Sequence, residues 1–355
     1  MTIVQTYHTF RQKIMQLRPG ERINRIRTLA WFLVGLRESE SIHLSQIANK
    51  IPGQATRPSR TKQMARLMAN KHIQVRPWYE PLARRLLTQA AQHQNWVRLL
   101  IDCSKVGNGH QLCLVALAYR RRAIPIAWTW VRACKGHSSG RKQNALLAYV
   151  AKLVPAKAQV IVTGDSEFTP LQTLLDQIGW FYVLRQKGSH LIRPTPQDEW
   201  QRCEALLTQP GRRWLTKVQL TAKHQHQCNF LALWLKGHQT PWLLATNLPT
   251  SRLTRLHYSR RMWIEEMFGD FKAHGFDLEQ TRLRHCQRLS RLTLAVVLLY
   301  LWLVAFGSKV IKTGHRYLVD RRDRRDLSIF RIGKDMFDRF VVNEQSISFP
   351  SVPYF

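Results

Sequence analysis

Between Tyr258 and Lys272 the chain reads YSRRMWIEEMFGDFK, and four of these residues could do chemistry together. Apolar Met262, Trp263, Met267, Phe268 and Phe271 recur at mixed three- and four-residue steps with no Gly or Pro before Gly269, which predicts one amphipathic helix. At about 100° per residue, Tyr258, Arg261, Glu265 and Lys272 fall within an arc of roughly 60°. One face then carries a phenol, a guanidinium, a carboxylate and an ammonium. Neighbouring cations favour a carboxylate over the neutral acid, a metal ligand needs the carboxylate, and the same cations could hold a polyanion against that metal. That is a site for phosphate chemistry. Taken alone, the pattern also suits an exposed helix laced with Arg/Glu pairs, so the rest of the chain must decide.

A phosphate-cutting site needs further carboxylates held by a rigid scaffold. From Trp96 the pattern takes the period of strands: Val97 to Ser104, Leu112 to Arg120 and Ala123 to Val131, with the Gly107-Asn108-Gly109 segment as a hairpin turn between the first two. The loop KGHSSGRKQ and the helical NALLAYVAKLV follow, then a fourth strand (159–165), a helix through Leu171, Leu174, Leu175 and Ile178, and a fifth strand (180–186). Three strands, helix, strand, helix, strand is the order of the ribonuclease H-like fold, in which the first and fourth strands are neighbours. Asp102, near the end of the first, and Asp165, at the end of the fourth, would then come close and repel unless cations neutralise them. Oxygen ligands of this kind suit Mg²⁺ or Mn²⁺. Singly, Asp102 reads equally as a strand-end turn residue and Asp165 as a helix N-cap.

Tyr258, Arg261, Glu265 and Lys272 stand at the spacings of the YREK signature, and in this the chain resembles the bacterial DDE transposases of the insertion sequence 4 group. The resemblance covers roughly residues 96–306. It implies that Asp102, Asp165 and Glu265 are the catalytic and metal-binding residues, holding two Mg²⁺ or Mn²⁺ ions roughly 4 Å apart. It implies that Tyr258, Arg261 and Lys272 grip the phosphates of a transposon end, Tyr258 also supporting a distorted or flipped nucleotide. Excision through a hairpin, and integration into target DNA by a dimer bridging two ends, complete what it implies. One departure is Glu167, in GDSEF, where family members often have a small residue; it puts a second carboxylate two residues from Asp165.

Charge points to the same partner. Lys and Arg number 55 against 22 Asp and Glu, a net charge of +33 spread through the chain, which calls for an anionic partner, nucleic acid before a membrane surface. Near the N-terminus two short helices are expected, one capped by Ser41 and one by Ser59, with basic Arg57, Arg60, Lys62 and Arg66 on and before the second. Such a pair resembles a helix-turn-helix that could read double-stranded DNA. Six cysteines without a CxxC pair, and no signal peptide, read as reduced thiols in a cytoplasmic, nucleoid-associated protein with no zinc site. The apolar run Leu292 to Phe306 is shorter than a bilayer requires and reads as a helix buried in the core.

The expected architecture is therefore α/β. A helical DNA-binding domain (1–92) precedes a ribonuclease H-like core (93–188 and 251–310) interrupted by a β-rich insertion (189–250), with a basic tail (311–355). Trp200, Trp214, Trp234 and Trp242 of the insertion read as core or as stacking platforms for bases. The expected function is a cut-and-paste DNA transposase, acting as a homodimer on DNA and not at a membrane. The alternatives are a ribonuclease H-like nuclease that does not join strands and a catalytically dead DNA-binding relative.

Overall fold

The apolar stretches that alternate or run unbroken between residues 97 and 246 pair into one mixed sheet of ten strands in the computed structural model, which describes residues 2–94, 96–106, 109–132 and 139–355. The strands are β1 (Val97–Val106), β2 (His110–Tyr119), β3 (Arg122–Arg132), β4 (Val160–Gly164), β5 (Phe181–Arg185), β6 (Leu191–Arg193), β7 (Gln201–Arg202), β8 (Gly211–Leu220), β9 (His226–Trp234) and β10 (Trp242–Thr246). Their order is β3-β2-β1-β4-β5-β10-β9-β8-β6-β7. β1, β2 and β3 form the expected antiparallel meander, while β1 and β4 run parallel. The fold is thus mixed α/β with a large mixed sheet. β3 is an edge strand, which is where Pro125, with no N–H to give the ladder, can be accommodated. Residues 107–108, within the expected hairpin turn, and 135–138, in the expected loop, lie outside the described residues, as does Cys134.

The strands of the stretch expected as a β-rich insertion (189–250) belong to this same sheet. β10 pairs antiparallel with β5, and β9, β8, β6 and β7 extend the sheet outward from it. It does carry a small apolar core of its own around Ile192, Cys203, Val218, Phe230 and Leu243.

Helices α1 (Ile3–Leu17), α2 (Ile23–Ser39), α3 (Leu44–Asn49), α4 (Arg57–Ala69) and α5 (Val75–His93) precede the sheet. The caps sit elsewhere than expected. Thr56, not Ser59, caps α4 by accepting from the Ser59 N–H, because Pro58 within the first turn places the helix start earlier. α3 begins after His43, and the Ser41 hydroxyl accepts from the His43 N–H ahead of it. The later helices are α6 (Gly140–Ala151), α7 (Gln172–Gln177), α8 (Ser251–Tyr258), α9 (Met262–Phe271), α10 (Cys286–Lys312) and α11 (Ile329–Val342).

α10 is the axle of the molecule. Its 27 residues are long and apolar enough to cross a membrane, yet most of its apolar stretch is buried within the protein. Phe10 of α1 packs on Trp302 at 5.4 Å, and the Arg291 guanidinium donates to the carbonyls of Ile73 (3.0 Å) and Met68 (2.9 Å). On the sheet side, the Trp130 indole donates to Thr293 (2.9 Å) and the Tyr300 hydroxyl to the Ala123 carbonyl (3.2 Å). One continuous apolar cluster therefore runs from Tyr7 through the sheet to Val352, joining the N-terminal helices to the rest.

The last segment, expected as a basic tail, contains a packed helix. α11 buries Phe330, Ile332 and Phe337 against α10, and the two helices meet at Gly307 and Gly333. A Cβ on Gly333 would stand 1.9 Å from the Leu303 carbonyl oxygen, so only glycine permits this approach.

The cysteines also depart from expectation. Cys103 and Cys113 face each other across β1 and β2 and form a disulfide, where six reduced thiols were expected. Cross-strand register brings their Cα atoms to 4.1 Å, a proximity that spacing along the chain does not reveal. Cys203, Cys228 and Cys286 are free.

Candidate active site

β1 and β4 are in parallel register with Ile101 opposite Gly164, so the next residue on each strand is an aspartate, Asp102 or Asp165. β1 continues to Val106, which puts Asp102 within the strand and not near its end. Asp165 follows the last residue of β4 in extended conformation, at the N-cap position of the turn that follows, but its side chain makes no capping hydrogen bond there. α9 crosses the sheet and contributes Glu265. Asp102, Asp165 and Glu265 together line one cavity of about 930 Å³, with Arg261 and Lys272. Glu167 does not line it.

Arg261 is the hub of this cavity. Its guanidinium lies 3.5 Å from the Asp102 carboxylate and pairs with Glu265 one helical turn on, at 2.5 Å. Burial alone would lower its pKa, but the Tyr258 phenol and the carboxylates of Glu265, Asp102 and Asp165 more than compensate, and the pKa rises. Asp102 responds in the opposite sense. Burial is the main cause that pushes its carboxyl up to about 7, Arg261 and the Cys103 N–H (2.8 Å) oppose the rise, and the charges of Asp165 and Glu265 add to it. The three carboxylates thus share one electrostatic environment.

The expected single helix is broken. α8 ends at Tyr258 and α9 starts at Met262, and between them the bonds from Arg261 N–H to Tyr258 C=O (2.9 Å) and from Ile264 N–H to Arg261 C=O (3.1 Å) close three-residue turns. This tightening turns Tyr258 out of the common face. Tyr258 is 3% exposed, its ring set edge-on to Trp242 at 5.0 Å and within 6.0 Å of the Arg261 guanidinium, with its hydroxyl buried. Arg261 and Glu265 stay on one face. Lys272 caps the far end of α9 and pairs with Glu279 at 2.5 Å, so a fourth carboxylate enters the cavity from the turn Leu278–Gln280. Sequence reasoning passed over Glu279 and the cavity's Lys105; neither belongs to a periodic pattern, and only the fold brings them here.

The donor set fits a hard divalent ion in kind, since it offers only carboxylate oxygens. Among the described residues, however, no three His, Cys, Asp or Glu side chains stand close enough together to hold a metal ion as they are. Arg261 contacts both Asp102 and Glu265, so a metal bound between them would compete with it.

The basic residues expected to meet DNA near the N-terminus lie on α4. Arg57, Lys62 and Arg66 are exposed, whereas Arg60 is half-buried and its guanidinium turns back to the Pro52 carbonyl at 2.9 Å.

No family model matches the chain, and a comparison with curated proteins gives no match. Among solved structures it is similar to the piggyBac transposase synaptic complex with hairpin DNA, with a TM-score of 0.47 and 10% identity over 96% of this chain and 77% of that one.

Proposed function

We propose that this protein is a DNA transposase of the DDE class, built on a ribonuclease H-like core and resembling the insertion sequence 4 group. The observation that carries the reading is the convergence of Asp102, Asp165 and Glu265 on one cavity lined by Arg261 and Lys272, in a chain of net charge +33. The parallel pairing of β1 with β4 beside an antiparallel meander supports the core assignment.

In this reading Asp102, Asp165 and Glu265 would hold Mg²⁺ or Mn²⁺, which when bound would supply activation of an oxygen nucleophile and stabilisation of the leaving oxygen at phosphorus. The chain's own residues prepare that step. Arg261 bridges Asp102 and Glu265 before substrate arrives, and its planar fork can move from carboxylate to the phosphate oxygens of the scissile strand. Lys272 and Lys105 add positive potential that draws the DNA backbone to the cavity. Tyr258 acts by packing under Trp242 and setting the turn that aims Arg261. Arg57, Lys62 and Arg66 on α4 bind duplex DNA of the element's ends. A dimer on DNA brings two ends together, and their 3′-hydroxyls attack the target strand.

The test uses purified protein, Mg²⁺ or Mn²⁺, and duplexes carrying the DNA that flanks the open reading frame. Cleavage at the ends followed by joining to a plasmid is expected. Cleavage without joining would leave a nuclease, and binding with neither activity would leave a DNA-binding relative.

A further inference from the structure

Against the flank of α9 that carries Met262, Trp263 and Glu266 lies a second cavity of about 830 Å³, into which Arg120, Arg121, Arg122, Arg316 and Arg325 converge around Trp263. Arg122 is balanced by Glu266 (3.2 Å) and Asp270 (2.8 Å), and Arg316 by Asp320. Arg120, Arg121 and Arg325 are exposed and form no salt bridge with any described residue. Asp326 also lines the cavity but is paired with Arg324 at 2.7 Å, so three guanidinium groups without an ion-pair partner of their own share one opening, an arrangement that an added anion would favour.

The backbone gives a second, independent sign. Tyr119 pairs with Arg122, so Arg120 and Arg121 are the two residues of the β2–β3 hairpin turn, and both have positive φ, 43° and 64°. Such turns strongly favour Asn-Gly or Gly-Gly, because a side chain there crowds the backbone. Two long cationic side chains held in this conformation mark a position kept for something other than stability.

We propose that this arginine-lined cavity grips the phosphate backbone of a second DNA duplex, independent of sequence, so that α9 holds the acidic site on one flank and incoming DNA on another. This rests on the proposed function, in which two DNA segments must meet at one centre. Guanidinium groups at the mouth suit phosphate oxygens, and an unpatterned set of arginines positions a duplex without reading its bases.

The test is the double variant Arg120→Asn with Arg121→Gly, which removes both charges while giving the turn its preferred residues. Its thermal midpoint is expected to equal or exceed that of the parent. In anisotropy titrations with a random-sequence duplex over a range of salt, losing two phosphate contacts should make the log–log slope shallower by about 1.8. An unchanged slope overturns the proposal, as does a lowered thermal midpoint, which would make the arginines part of the fold. Weakened binding to phosphatidylserine vesicles with DNA binding intact would also overturn it, in favour of a lipid surface. The slope is measured without cleavage, so a protein that shows the shift but never cuts DNA would uphold this site and sink the transposase reading.

Discussion

The Arg261 guanidinium stands 3.5 Å from the Asp102 carboxylate, a contact between the turn before α9 and the middle of β1 that spans 159 positions of sequence. It ties the two halves of the acidic cavity together, and through Glu265 it holds the third carboxylate as well.

Because Arg261 competes with any cation for these oxygens, Arg261→Ala should bind Mn²⁺ more tightly than the parent when no DNA is present. Cleavage should nevertheless be lost, since the group that meets phosphate is gone. Arg261→Lys should also lose most cleavage, an ammonium being unable to copy a two-toothed grip. Calorimetric titration of Mn²⁺ beside an end-cleavage assay measures both. A Lys variant that cuts like the parent would reduce Arg261 to a structural ion pair.

Asp102→Asn, Asp165→Asn and Glu265→Gln should each reduce cleavage by more than the roughly 10–100-fold typical of a residue one step removed from a metal. Binding of end DNA in gel shifts should persist, because these carboxylates contribute little phosphate contact. Any one variant that cuts normally is not a member of the site.

Burial raises the Asp102 carboxyl from its ordinary 3.8 to about 7, so the folded protein holds that proton more tightly than the unfolded chain. Its contribution to stability is therefore full below about pH 4 and declines as pH rises through about 7. Denaturant midpoints taken in chelator should fall across that window in the parent and fall less in Asp102→Asn. Metal-dependent cleavage should rise over the same window as the ligand ionises, and a flat pH profile would contradict the assignment.

Gly333→Ala should destabilise the protein by at least about 1–3 kcal/mol, the usual cost of overpacking, since its Cβ would meet backbone that cannot yield. Gly20→Ala, with nothing within 4 Å of the added carbon, serves as the control and should change stability by no more than about 0.5 kcal/mol. Chemical denaturation of the pair measures the difference, and equal midpoints would show that α10 and α11 are free to separate.

Local pattern was enough for much of this molecule. Alternation and β-branched runs located β1 to β5, the apolar block at Leu292 to Phe306 located α10, and residue type with spacing selected Arg261 and Glu265, which do share a face. These succeed because periodicity of burial is written residue by residue. What failed depended on contacts made at long range. The three-residue turns between α8 and α9 set Tyr258 against Trp242, the Cys103–Cys113 bridge follows from strand register, and the strands after β5 continue the sheet because β10 returns beside β5. A tail rich in charge became a packed helix because two glycines, 26 positions apart, allow α10 and α11 to touch. The sequence by itself determined which elements form and which side chains carry charge. Only the tertiary structure decided that Arg261 lies between Asp102 and Glu265, because the energy of an ion pair depends on a distance through space that spacing along the chain does not set.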